Sequence, residues 1–265
     1  MSKNPIGIFD SGMGGVSVLA EATRFLPYEN FIYIGDTAFA PYGVKPTSLI
    51  LNRSLLISEK LIGEGCKAIL IACNTASSVA AKYLRSKYSL PIIAMEPALK
   101  PAYFLSSGKT VLVLATNITL KLEKFKLLMK KYGANAEPIP CPDLVMYVEN
   151  LNFDKTQVKT YLNNIFNNYN LDSIGAVVLG CTHFIFVKNL IREILPENIE
   201  ILDGNVGTVK ELHRRLSKKN ILNTEKVAPY ISLISTSNAT AEKIKLEKMF
   251  KAAFDNEDYF VLENM

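Results

Sequence analysis

Two apolar runs in this chain end on a cysteine in the same way. AILIACNTA spans residues 68–76 and AVVLGCTHF spans 176–184; aligned without a gap, they set Cys73 over Cys181, Asn74 over Thr182 and Thr75 over His183. A continuous run rich in Ile, Val and Leu is the pattern of a strand buried on both faces, as in a parallel sheet covered by helices. A thiol followed by small polar side chains at the exit of such a strand falls on the ligand-binding edge of an open α/β sheet. Two matched tips predict two facing acid/base groups with one ligand between them.

The rest of the chain alternates in the same style. Strands are expected at 6–9, 31–35, 68–72, 92–95, 110–115, 135–139, 175–179, 199–202 and 230–235. Helical periodicity lies between them, at 15–26, 47–63, 76–86, 118–131, 155–168, 184–194, 205–217 and 239–252. Thr47, Thr75 and Ser237 or Asn238 are placed to cap helices. Strands alternating with helices argue for an α/β class with parallel sheets. The layout of strand, helix, strand, long helical stretch and cysteine strand is used twice, which predicts two pseudo-symmetric α/β domains. Breaks at Glu96-Pro97 and Asp203-Gly204 bound them. Residues 208–265 are expected to pack back on the first half, giving a discontinuous domain of 1–96 plus 208–265 and a second of 97–207.

At 265 residues with 49% hydrophobic content, the chain can fill two such cores. The formal charge of +5 is mild. Its lysines are spread along the sequence, and the local group Lys218, Lys219 and Lys226 reads as a solvated helix end. Nucleic acid is therefore not expected as a partner, whereas a small anionic substrate is. The four cysteines, Cys66, Cys73, Cys141 and Cys181, form no CxxC pair and stand with only two histidines, so no metal site is expected. No stretch approaches the length of a membrane span, and the start MSKNPIGIFDSG enters a strand-like run at once. The expected setting is the cytoplasm, where thiols stay reduced.

Asp10-Ser11-Gly12-Met13-Gly14-Gly15 follows a strand and opens a helix, which raises the possibility of dinucleotide binding. Gly12 and Gly14 fit G-x-G-x-x-G, but Ser17 stands where the third glycine belongs, and Asp10 would repel a pyrophosphate. The glycines better suit backbone amides approaching a small carboxylate.

Cys66 and Cys141 read as buried hydrophobes. Cys73 and Cys181 sit where their runs turn polar, close to helix starts whose dipoles favour thiolate. Covalent hydrolysis needs one nucleophile and a base. Two opposed bases suit inversion of a carbon centre, one taking the α-proton and the other returning a proton to the opposite face. Asp10 is placed to assist Cys73, and His183 to assist Cys181. His213, inside a helical stretch, is expected to pack only.

FDSGMGG, GDTAFAPYG, ACNTAS, CPDLVMYVE and LGCTHF occur in this order. Together they resemble the aspartate/glutamate racemase family, and within it the glutamate racemases, over most of the chain. The resemblance implies two α/β domains with the site in the cleft between them, no cofactor, and interconversion of L- and D-glutamate for peptidoglycan. By motif it implies that Cys73 handles the D-enantiomer proton and Cys181 the L-enantiomer proton, with Asp10, Glu149 and His183 assisting. It places Ser11, Asn74, Thr75 and Thr182 on the substrate's α-amino and α-carboxylate groups, and Pro41, Tyr42 and Gly43 in a substrate loop. Thr116 and Thr119 fall near the substrate side chain, although they also suit a helix cap. Members are often homodimers, so a homodimer is expected. No precursor-dependent activation is expected, because the long leading extension of members so activated is not seen.

The chain departs from the family pattern at Phe184-Ile185, where Tyr-Pro is usual, and at Phe39-Ala40, where arginine or valine is common. An aspartate or hydantoin racemase is the nearest alternative. A nucleotide-binding protein with inert thiols and a non-catalytic binding protein are the others.

Overall fold

The structure, a computed structural model, describes residues 2–149 and 154–255. Among the described residues nine strands form two wholly parallel sheets, as the alternating pattern predicts. The first contains β1 (Ile6–Asp10), β2 (Phe31–Gly35), β3 (Ala68–Ile71), β4 (Ile92–Ala94) and β9 (Ile231–Ser235), in the order β4-β3-β1-β2-β9. The second contains β5 (Thr110–Ala115), β6 (Ala136–Pro140), β7 (Ile174–Leu179) and β8 (Glu200–Asp203), in the order β6-β5-β7-β8.

These orders decide where a ligand can sit. β1 is followed by α1 (Val16–Phe25) toward β2, whereas β3 is followed by α3 (Asn74–Lys87) toward β4 on the other side. The chain therefore diverges between β1 and β3. It diverges again between β5, which leads to β6, and β7, which leads to β8. Such points open a crevice at the carboxyl ends of the strands. Asp10 and Cys73 lie at the first divergence; Thr116 and Cys181 lie at the second.

Strand alternation sorts the core. Ile6, Ile8 and Leu70 face a cluster that runs on into Leu112, Val177 and Leu179 of the second sheet, so one apolar core spans both. Phe9, Ile69 and Ile71 face the opposite way, against Ile50, Ile57 and Leu61 of α2 (Thr47–Gly63) and Ala76, Ala80 and Leu84 of α3. Each such buried aliphatic side chain contributes roughly 1.5–3 kcal/mol. β9 pairs with β2 from Phe31↔Ile231 to Gly35↔Ser235, and α11 (Thr240–Asp255) packs on α1. The described part of the C-terminal segment thus returns to the first sheet; residues 256–265 lie outside the described residues.

Periodicity misjudged several helices. The stretch predicted as one helix over 118–131 is two, α5 (Asn117–Lys121) and α6 (Glu123–Tyr132), because Leu122 between them is extended. The start of the stretch predicted as a helix over 184–194 is a 3-10 turn, Thr182–Val187, leading into α9 (Lys188–Ile194). α4 (Leu99–Leu105) and α7 (Pro142–Glu149) are too short for a periodic signal to stand out. α8 (Lys155–Phe166) and α10 (Asn205–Lys218) lie where expected. The predicted caps are corrected too. Thr47 is the first residue of α2, behind Pro46, and the side chain capping α3 is Cys73 rather than Thr75. The Ser237 hydroxyl accepts from Ala239 N–H just ahead of α11.

Candidate active site

Cys73 leaves the first sheet two residues after β3 and caps α3. Its Sγ accepts from the Ala76 N–H at 3.3 Å and its thiol donates to Ser11 Oγ at 3.5 Å. Cys181 leaves the second sheet after β7, through Gly180. A Cβ there would lie 2.8 Å from the Leu114 carbonyl oxygen, so only glycine lets this strand tip pass its neighbour. Cys181 is half-buried, and its Sγ lies 3.6 Å from His183 Nδ1. His183 Nε2 meets Glu149 Oε1 at 2.5 Å, and that same oxygen accepts from the Met13 N–H at 3.2 Å.

Three amides of the loop 11–15 are engaged by carboxylates of the protein itself. Gly12 and Gly15 N–H donate to Asp10 Oδ2 at 3.2 and 3.1 Å, and Met13 N–H serves Glu149. Tyr33 hydroxyl holds the Gly12 carbonyl at 2.9 Å. A Cβ at Gly14 would stand 2.7 Å from His183 Nδ1 and from Thr182 Oγ1, and one at Gly12 would collide with Glu149. The glycines are needed because the loop presses against the acid/base groups of the other sheet, and internal carboxylates fill the space a phosphate would need.

Asp10 ends β1 beside the Cys73 strand, and its charge acts on Cys73. It also accepts from Thr182 Oγ1 at 3.4 Å, so it bridges the two half-sites, and the group in hydrogen-bond contact with Cys73 is Ser11. Burial raises the Asp10 pKa, against the pull of His183 and the two loop amides. Burial likewise pushes the Cys73 thiol up to about 12, helped by the Asp10 charge. The Ala76 N–H and Ser11 oppose the shift but lose, so a helix start alone does not make Cys73 a thiolate. Burial would also lower His183, but its hydrogen bonds and charge interactions with Cys181 and Glu149 outweigh that and hold it well above the ordinary imidazole range. Burial acts to raise Glu149; the His183 hydrogen bond and charge and the Met13 amide override it, leaving Glu149 lowered.

Both sulfurs line one small cavity. Ser11, Pro41, Tyr42, Gly43, Asn74, Thr75, Thr116 and His183 line it as well. Asp10, Glu149 and Thr182 stand behind this lining. So does Thr119, whose hydroxyl lies 3.0 Å from that of Thr75 and 2.9 Å from that of Thr116. Thr116 is also the side-chain cap of α5, so its two suggested roles coexist. Asn74 Nδ2 donates to Met95 Sδ at 3.3 Å, while its Oδ1 is buried with no hydrogen-bond partner among the described residues. Val145 and Gly180 complete the wall. Sequence reading missed both, although they sit within the quoted CPDLVMYVE and LGCTHF stretches. The departures Phe184-Ile185 and Phe39-Ala40 are absent from that lining; Phe184 is buried and Ile185 packs on the core.

Cys66 and Cys141 are buried, and burial pushes each thiol up to about 12. His213 makes an edge contact with Phe25 at 5.7 Å. Among the described residues no group of three or more His, Cys, Asp or Glu side chains is placed to hold a metal ion, and no helix is long and apolar enough to cross a membrane.

The sequence profile of the family described as Asp/Glu/Hydantoin racemase matches residues 20–212. A glutamate racemase of Clostridium botulinum is 44% identical over 249 residues, covering 93% of this chain and 96% of the relative. One of Clostridium perfringens is 50% identical over 224 residues, covering 83% and 86%. The crystal structure of a Francisella tularensis glutamate racemase in complex with D-glutamate superimposes with a TM-score of 0.80 at 28% identity, covering 97% of this chain and 96% of that one. With its paired cysteine tips at two sheet divergences, this chain belongs to the Asp/Glu/Hydantoin racemase family, among relatives that are glutamate racemases.

Proposed function

We propose that the protein is an amino-acid racemase, an isomerase that interconverts L- and D-glutamate through two opposed thiols and without a cofactor. The observation that carries this reading is the meeting of Cys73 and Cys181, delivered by different sheets, in one small cavity. Starting from D-glutamate, Cys73, whose thiol burial holds protonated, must first release its proton to solvent; the thiolate so formed takes the α-hydrogen as a proton and becomes a thiol again. The pair left on Cα spreads into the α-carboxylate. The Cys181 thiol then gives its proton to the opposite face and is left as thiolate. The reverse reaction begins at Cys181, and no electrons leave the pair of reactants.

Each remaining group has a task in this reading. His183, held cationic by Glu149, donates from Nδ1 toward Cys181 as negative charge gathers there. Asp10, fixed by Gly12, Gly15 and Thr182, sets the field felt by Cys73. The unpartnered Asn74 Oδ1 accepts from the α-ammonium, a buried acceptor otherwise costing about 1–3 kcal/mol. Ser11, Thr75 and Thr116 supply hydroxyls to the carboxylates, Thr119 steadies Thr75, Thr182 acts from behind the lining through Asp10, and Pro41, Tyr42 and Gly43 close the cavity. Positioned acid/base groups give about 10²–10⁴-fold each, so water exclusion and fixed dipoles supply much of the rest.

The reading extends to a cytoplasmic enzyme that provides D-glutamate for peptidoglycan, acts as a homodimer, and is built from domains of 1–96 plus 208–265 and 97–207. Pure enantiomers of glutamate and aspartate, and a hydantoin, followed by circular dichroism, test the substrate. Either glutamate enantiomer should lose its signal to zero while aspartate keeps its own. Signal loss with aspartate or hydantoin alone, or with none, would overturn the assignment.

A further inference from the structure

The loop that closes the cavity is anchored by an ion pair outside the reacting groups. Asp36 follows β2 and is fully buried. Its Oδ2 accepts from the Tyr42 hydroxyl at 2.5 Å and from Arg53 Nε at 2.9 Å. Its Oδ1 accepts from Arg53 Nη2 at 2.7 Å and from Thr236 Oγ1 at 2.8 Å. Four donors therefore converge on one carboxylate, two of them in the paired geometry that only a guanidinium offers. Arg53 reaches in from α2, and its guanidinium also lies 4.0 Å over the Phe39 ring. The Thr236 hydroxyl, just past β9, accepts from Ala38 N–H at 3.2 Å. Thr37 and Ser235 hydroxyls meet at 2.6 Å.

The loop 37–44 is thus gripped at its start, its middle and its tip. Tyr42 lines the cavity, yet its hydroxyl turns away from it to Asp36. Next to it, Gly43 is pressed against Thr116 of the other sheet, where a Cβ would come within 3.0 Å of the Thr116 Cβ. Arg53 also neutralises Asp36, whose bare charge behind the cavity wall would repel an anionic ligand.

We propose that the Asp36–Arg53 pair positions the substrate loop, holding Pro41, Tyr42 and Gly43 closed over the bound amino acid without touching it. The inference rests on the racemase reading above. The sulfurs ride on the ends of β3 and β7, not on this loop, so loosening the anchor weakens binding of substrate and transition state alike. KM should change more than kcat.

The test uses R53K, Y42F and the R53K/Y42F double variant in the full chain, with melting temperatures to check folding. Lysine keeps the charge but loses the paired geometry and the ring contact; phenylalanine loses only the hydroxyl. Each single variant should raise KM for glutamate about tenfold with kcat within about threefold, because a hydrogen bond to a buried charge is lost. As both act through one carboxylate, the double variant should fall short of the product of the single effects. KM within about twofold of the unmodified protein, loss of kcat at constant KM, or fully multiplicative effects would overturn the anchor. Absence of glutamate racemisation in the unmodified protein would instead overturn the racemase reading.

Discussion

Cys73 and Cys181 occupy matching places in two sheets and yet meet different chemistry. Cys73 caps a long helix, touches Ser11 and the Ala76 N–H, and is walled in so closely that burial dominates its ionisation. Cys181 opens a 3-10 turn, is half-buried and faces an imidazole clamped to a partly buried carboxylate. The repeat delivers two sulfurs to one place. What surrounds each sulfur comes from elsewhere: a helix N-terminus on one side, a charged pair spanning α7 and the turn after β7 on the other. Asp10 ties the sides together, since it influences Cys73 through its charge and holds Thr182 beside Cys181.

The comparison breaks most directly at the sulfurs. Cys73→Ser and Cys181→Ser should each lower racemisation by about 10³-fold or more, because a hydroxyl is a poor carbon base near neutral pH. Both variants must lose the same factor of kcat/KM in either direction, since mirror-image substrates have an equilibrium constant of one. Initial rates from both enantiomers check this, and substantial turnover in either variant would separate that sulfur from the chemistry.

Glu149→Gln sharpens the Cys181 side. Without the carboxylate, only Cys181 is left to oppose burial at His183, so its pKa should fall and the imidazole should lose its proton at a lower pH. The expected loss is about 10–100-fold in kcat/KM near pH 8, with the alkaline limb of the pH profile moved to lower pH. Stability carries a matching sign. The raised His183 pKa contributes fully below about 6.5 and is lost as pH rises through its folded value. The lowered Glu149 pKa contributes fully above about 4.5 and is lost as pH falls through its own folded value. The difference in unfolding free energy between the unmodified protein and Glu149→Gln should therefore be greatest between pH about 4.5 and 6.5, at about 1–3 kcal/mol. Denaturant titrations across pH measure it.

Ser11→Ala probes the Cys73 side and should have the smallest effect, about tenfold in kcat/KM, since it removes one neutral hydroxyl, shared between the sulfur and a substrate carboxylate, while the Ala76 N–H and the threonine hydroxyls remain. Steady-state kinetics read it directly. A loss as large as that of Glu149→Gln would mean that the two sides depend on their neighbours equally.

Much of this was legible in the sequence. Apolar runs placed all nine strands, and the polar turn after each cysteine run marked the sheet edge. What was hidden depended on contacts between distant segments. The glycine loop looks ready for an anion, but three of its amides serve Asp10 and Glu149, the latter more than a hundred residues away in sequence. The helix start at Cys73 suggests a low pKa, and only packing reveals the burial that reverses it. Val145 needed α7, a helix of eight residues without a clear period. The grip of Arg53 and Tyr42 on Asp36 joins α2 to the substrate loop, and the spacing of these residues does not announce it.

The central claim is that two sulfurs serve opposite faces of one carbon. Racemisation of L-glutamate in heavy water, stopped at low conversion and read by mass spectrometry or proton NMR, tests it most directly. The account predicts deuterium at Cα of the D-glutamate formed and protium still at Cα of the L-glutamate recovered. Deuterium entering the recovered L-glutamate as fast as the product would mean that a single base serves both faces, and would contradict it.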